Sequence, residues 1–184
     1  MDKTYICFLD TSTFDEGAAI RGAALLTDPL TEPVEFRCTS AVRPTQLQRT
    51  LWGERLIAHI ATHLVGKPLL DALGAPPTLV VVRKPEFVEL RTLIDVPLVQ
   101  LLRKDELASA SPFAFPDGEG EPLHNSDPTE SLIIKSHRQF QADIEAARHL
   151  LNGDSSEMSL LDPFDRIANS LIIVHQQELE KGRS

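Results

Sequence analysis

The stretch "YICFLDTST", residues 5–13, joins an apolar run to a carboxylate and three hydroxyls. Tyr5, Ile6, Cys7, Phe8 and Leu9 read as a buried strand. Asp10, Thr11, Ser12 and Thr13 then break the apolar pattern. Two readings of Asp10 stand side by side. It caps a turn with Thr11 and Ser12, as short polar side chains do. Or it is the first ligand of a metal site, since hard divalent cations take carboxylate oxygens.

Working outward, "AAIRGAALLTD" (18–28) is a second strand of small and aliphatic residues that ends at Asp28-Pro29. "EPVEFRCTS" (32–40) alternates Val34, Phe36 and Cys38 with Glu35, Arg37 and Thr39. That period of two marks a strand with one wet face. Short loops join the three, so an antiparallel meander is expected. Pro44 and Thr45 open a helix predicted over 45–65. "TLVVV" (78–82) is a continuous β-branched run, as in a strand buried on both faces. Pro85 starts a short helix, and "VPLVQLL" (96–102) is another buried strand. Strand, helix, strand is a βαβ unit, so these two strands are expected to run parallel beside strand one.

Residues 103–130 are rich in Pro, Gly, Ser and acids and read as a long irregular segment, mobile and the first to be cut by protease. "SLIIK" (131–135) reads as a last short strand. Two helices follow, in "HRQFQADIEAARHLL" and in "LDPFDRIANSLIIVHQQELEK". The order β-β-β-α-β-α-β-α-α is that of a ribonuclease H-like mixed sheet, three antiparallel strands and then parallel ones, flanked by helices. Fold alone does not give function.

The length of 184 residues suits one domain spanning 1–184. No apolar run approaches the roughly 20 residues of a membrane helix. The acidic "MDKTYICFLD" is not a signal peptide. Cys7 and Cys38 then read as buried thiols of a cytoplasmic protein. A net charge of −9 argues against strong non-specific nucleic-acid binding, which needs phosphate neutralisation. A local basic groove or an acidic site loaded with metal is compatible with it.

Glu54 is the second candidate. On the wheel of a helix over 45–65 it lies between Leu47, Ala61 and Val65, on the apolar stripe. A carboxylate aimed at the core needs a partner, a metal or a raised pKa. Arg43 and Arg21 are candidate partners. His59 and His63 have the i, i+4 spacing of metal ligands but lie on the polar side, as on a solvated face. In "DPTESLIIKSHR", Lys135, His137 and Arg138 stand at a strand–helix junction that reads either as a phosphate site or as a capped helix start. No phosphate-binding loop, dinucleotide fingerprint, cysteine-rich zinc site or nucleophile elbow is present.

"RPTQLQRTLWGERL" resembles the segment of endonuclease V that ends in an aromatic residue, one further residue and a catalytic Glu. "IIKSHRQFQADIEAARHLL" is similar to that family's late strand, His-Arg pair and helix. The resemblance implies an α/β fold of the ribonuclease H-like, endonuclease V-like type. It also implies a divalent-metal-dependent nuclease acting on phosphodiesters. Asp10 and Glu54 would hold Mg²⁺ or Mn²⁺, and His137 would act near the scissile phosphate.

One position departs from the family. Where it has Asp-Gly after strand four, with the Asp a metal ligand, this chain has Arg83 and Lys84. A guanidinium there repels Mg²⁺. Glu86, Glu89 and Asp95 are the nearby acids, at other spacings. Arg83, Lys84 and Arg138 become phosphate contacts under the nuclease reading. They favour a second reading as well: a catalytically inactive relative that binds protein or nucleic acid.

Overall fold

The computed structural model describes residues 3–109, 120–123, 131–151 and 159–182. Among these, the strands form one sheet in the order β3-β2-β1-β4-β5-β7-β6. The strands are β1 (Ile6–Phe14), β2 (Ala19–Thr27), β3 (Pro33–Cys38), β4 (Leu79–Val82), β5 (Leu98–Arg103), β6 (Glu121–Leu123) and β7 (Leu132–Ser136). β1, β2 and β3 form the expected antiparallel meander. β4 pairs parallel with β1, and β5 parallel with β4. β7 returns antiparallel to β5 and carries β6 on its outer side. The sheet is therefore the mixed ribonuclease H-like one. β6 lies inside the segment read as irregular; the rest of 103–130 falls mostly outside the described residues.

Alternation along β1 divides the core in two. Ile6 and Phe8 join Val81, Val99 and Ile134 under α4 (Asp143–Leu151) and α5 (Asp162–Lys181). Phe8 meets Phe164 edge-on, with ring centroids 5.4 Å apart. Cys7 and Leu9 face the other way, with Val80, Val82, Ile60, Val65 and Phe87. Both cysteines are free thiols, and burial, aided by the Glu35 charge, pushes the Cys7 thiol up.

The helix expected over 45–65 is broken. α1 (Gln46–Trp52) opens with a capping box, in which Gln48 N donates to Thr45 Oγ1 and Thr45 N to Gln48 Oε1. It ends at Gly53, whose φ of 53° lies in the left-handed region that favours glycine. α2 (Arg55–His59) starts afresh and continues as a π-helical stretch (Ile60–Gly66) into α3 (Lys67–Asp71). The π-helical stretch presses on β2 where Gly22 leaves room. A Cβ built at Gly22 would stand 2.0 Å from Val65 Cγ1. That close approach accounts for the glycine in "RGAA". A single helical wheel does not apply across Gly53, and Leu47 and Leu51 of α1 are exposed, not core.

A 3₁₀ helix (Pro85–Leu93) connects β4 to β5. Arg91 at its end is held by α4. Its Nε lies 2.6 Å from Asp143 Oδ2, which also accepts from Leu98 N at 3.0 Å. Both side chains are largely buried, and Arg91 lies over the Phe140 ring at 4.0 Å. Removing one partner of such a pair strands the other charge in low dielectric. Arg91→Ala is therefore expected to lose about 3–5 kcal/mol in urea unfolding. Lys67→Ala, which breaks the exposed Lys67–Asp71 pair, is expected to lose about 0.5 kcal/mol or less.

Candidate functional site

Register decides which side chains meet where β4 ends beside the middle of β1. Leu9 pairs with Val82 of β4, so Asp10 and Thr11 emerge beside Arg83 and Lys84. Burial along β1 changes at that point: Ile6 to Leu9 are buried, and Asp10 to Ser12 only partly. Asp10 Oδ1 accepts from Thr11 N at 2.7 Å, but Asp10, Thr11 and Ser12 pair with Ala23, Gly22 and Arg21 within the strand, so the expected turn cap is not formed. It also stands 3.1 Å from Lys84 Nζ, with the Asp10 side chain 15% exposed. The same ammonium donates to Thr11 O and, at 3.1 Å, to Thr11 Oγ1. Lys84 thus ties the end of β4 to the middle of β1.

Arg83 takes no part in this. Its guanidinium pairs with Glu106, and its backbone oxygen accepts from the buried Gln100 Nε2 at 2.9 Å. Glu106 is partly buried, which opposes its charge. Hydrogen bonds from Arg103 N and the Arg83 guanidinium nevertheless hold its carboxyl below the usual range.

The acid drawn to this corner is Glu86. Burial pushes its carboxyl up. The Asp10 charge adds to the rise, and the Lys84 charge and a backbone hydrogen bond oppose it. Glu86 is thus near enough to Asp10 for the two charges to act on each other. Its place, four residues past a doubly buried strand and behind a proline, was the available signal.

Glu54 is elsewhere. It is exposed at the α1–α2 break, not on a core stripe, because Gly53 has reset the helix direction. Its expected partners are engaged by others: Arg43 by Asp15 at 2.6 Å, and Arg21 by Glu178. His137 is also apart. Ser136 pairs with Val99, so His137 stands level with Leu98, whereas Asp10 stands level with Leu101. That is about 10 Å along the strands and three strand spacings across. His137 is buried; its Nδ1 accepts from Gln139 N at 3.2 Å, and its Nε2 lies 3.7 Å from Glu89 Oε2. Arg138 is exposed on the turn that follows. Asp10 and His137 are therefore not one cluster.

Among the described residues, no three side chains of His, Cys, Asp or Glu are grouped to hold a metal ion. The ammonium on Asp10 provides the positive charge that a cation would bring. The residues present do not fit a divalent metal.

A polar network unread in the sequence lies at the β1–β2 hairpin. Arg21, 2% exposed, donates Nε to His175 Nδ1 at 3.0 Å and pairs with Glu178. With Nδ1 accepting, the His175 proton sits on Nε2 and points to Asp15 Oδ1 at 3.2 Å. His175 stacks on Phe14, and Arg43 closes the chain on Asp15. The signal was a lone arginine inside the otherwise apolar run "AAIRGAALL".

The backbone has solved counterparts. The crystal structure of endonuclease V from Streptomyces avermitilis superposes with a TM-score of 0.52 at 17% identity. The match covers 100% of this chain and 88% of that one. Endonuclease V from Bacillus subtilis gives a TM-score of 0.57 at 10% identity, covering 98% and 84%. The fold is endonuclease V-like. No protein-family model matches the sequence, and no curated protein matches it. At these identities the endonuclease V likeness is one of fold, and the site must be argued from its own side chains.

The raised carboxyl of Glu86 makes stability pH-dependent with a definite sign. A folded pKa above the unfolded one favours the protonated acid, so stability falls as pH rises from the ordinary carboxylate range through the raised value. Glu86→Gln removes the charge and keeps the shape. Its melting temperature is expected to exceed that of wild type at pH 7. The gap should narrow toward pH 4, as checked by thermal unfolding across that range.

Proposed function

We propose that this chain is a catalytically inactive member of the endonuclease V-like fold that works as a protein-binding module. The observation behind this reading is the Lys84 ammonium on Asp10, 3.1 Å from Oδ1. The nuclease reading needs Asp10 free to bind Mg²⁺ or Mn²⁺ together with a second converging carboxylate. A lysine supplies the charge but has no vacant orbital with which to polarise a phosphoryl oxygen.

Protein is preferred to nucleic acid as partner on two grounds. The net charge is −9, and the two cations at the site are both engaged by acids. α1, in contrast, buries none of its residues: Leu47 is 67% exposed, Leu51 74% and Trp52 44%. An apolar helix face in water is the composition of a protein contact.

The test is direct. Purified protein with Mg²⁺ or Mn²⁺ is expected to leave single- and double-stranded DNA and RNA uncut. Cleavage that Asp10→Ala abolishes would establish the nuclease reading instead. A second measurement isolates the lysine. Mn²⁺ is expected to leave the melting temperature of wild type unchanged. In Lys84→Ala it should raise it, because Asp10 and Glu86 then lack a counter-charge and a metal stabilises only the state that binds it. A Mn²⁺ shift in wild type that Asp10→Ala removes would contradict the proposal.

A further inference from the structure

The two edges of the sheet differ. β6 has three residues, one of them Pro122, and gives a neighbouring strand little to pair with. β3 has six residues, and its only proline, Pro33, is the first. Among the described residues no strand covers its outer side.

The hydrogen-bond phase of β3 is fixed by its inner partner. Thr39 N donates to Gly22 O at 2.9 Å, and the register continues with Arg37 opposite Ala24 and Glu35 opposite Leu26. Bonds alternate along an antiparallel pair, so Glu35 and Arg37 direct their backbone groups to β2. Phe36 and Cys38 direct theirs outward, and the register shifts at Val34, between Glu35 and Pro33. The side chains alternate as well. Cys38 packs toward the α5 side of the core, in line with Phe36, 36% exposed, and Val34, 50% exposed. Glu35 and Arg37 share the opposite face, 2.6 Å apart.

We propose that two copies of this chain associate through β3, antiparallel about a two-fold axis, with Phe36 facing Phe36 of the second copy. The segment is self-complementary in that register. Glu35 faces Arg37 of the second copy, and Arg37 faces its Glu35. The outward backbone groups of Phe36 in the two copies fall on a hydrogen-bonded pair. The charged residues fall on the closer, non-hydrogen-bonded pairs, where cross-strand charges interact best. Any register shifted by one residue along the second copy puts apolar side chains opposite charged ones on each face.

The helices leave room. α5 packs on β1 and β2. In the paired sheet the two β2 strands stand three spacings apart, about 14 Å. A helix with its side chains is about 10–12 Å across. The two α5 helices fit side by side over Phe36 and Val34, which association would remove from water. This inference rests on the sheet edge alone and holds whether or not Asp10 binds metal.

Analytical ultracentrifugation of the full chain tests it. Wild type is expected to show a reversible monomer–dimer equilibrium. Arg37→Glu places like charges opposite each other twice and should weaken the dimer about tenfold. The swap of both residues, Glu35→Arg with Arg37→Glu, should restore it to within about threefold. Phe36→Pro removes an outward N–H that β2 does not use. It should give a monomer whose circular dichroism matches wild type. A wild type that stays monomeric at every concentration, or a dimer that Phe36→Pro leaves intact, would overturn the proposal. A double variant that stays as weak as Arg37→Glu would overturn the register.

Discussion

The constraint on which this molecule depends is the double enclosure of β1. The strand is paired on both sides, by β2 and β4, and covered on both faces by helices. No polar group can be tolerated along it until enclosure ends, because an unpaired buried polar atom costs about 1–3 kcal/mol or more. The residues from Ile6 to Leu9 obey this. Asp10 is the first side chain to reach partial solvent, so it stands at the mouth of the sheet. The position is dictated by packing, and what the carboxylate does there depends on which cation meets it. In this chain the cation is covalently attached. The Lys84 ammonium reaches Asp10 and Thr11 and closes the seam where β1 and β4 part.

A second closure works at the other end of the sheet. Asp143 begins α4 and accepts from the first residue of β5 and from Arg91. Its carboxylate ties helix, strand and connection at one point. The two ion pairs have different exposure. Arg91 and Asp143 are 13% and 6% exposed, and Lys84 is 38%. The first is a structural lock with high cost if broken. The second borders solvent, where water screens it and a side chain retains freedom to leave.

Much of the fold was legible because periodicity survives packing. The alternation in 32–40, the β-branched run 78–82 and the short early loops gave the meander and the parallel centre correctly. The failures have local physical causes. Gly53 can take a left-handed conformation, and that one residue separates α1 from α2 and moves Glu54 from the expected apolar stripe to solvent. Pairing of long side chains is decided by reach, which spacing does not encode. Arg83 was the expected rival for the metal's place, yet its guanidinium is taken by Glu106. The shorter seam contact falls to Lys84 instead. Glu86 and the Arg21–His175–Asp15 chain were invisible as clusters because their members are far apart in sequence.

The relation between Lys84 and a metal ion is one of partial substitution. Either one neutralises Asp10 and eases the burial of the neighbouring Glu86, so either satisfies the electrostatic requirement of the fold. A tethered ammonium does so without loss of translational freedom and at any metal concentration. It cannot take several oxygen ligands at once, bind a phosphate oxygen as a Lewis acid or lower the pKa of a water. A sheet that obtains its closing charge from lysine is therefore stable without the machinery of hydrolysis. Its demand is geometric: a carboxylate where enclosure ends and a positive charge within reach.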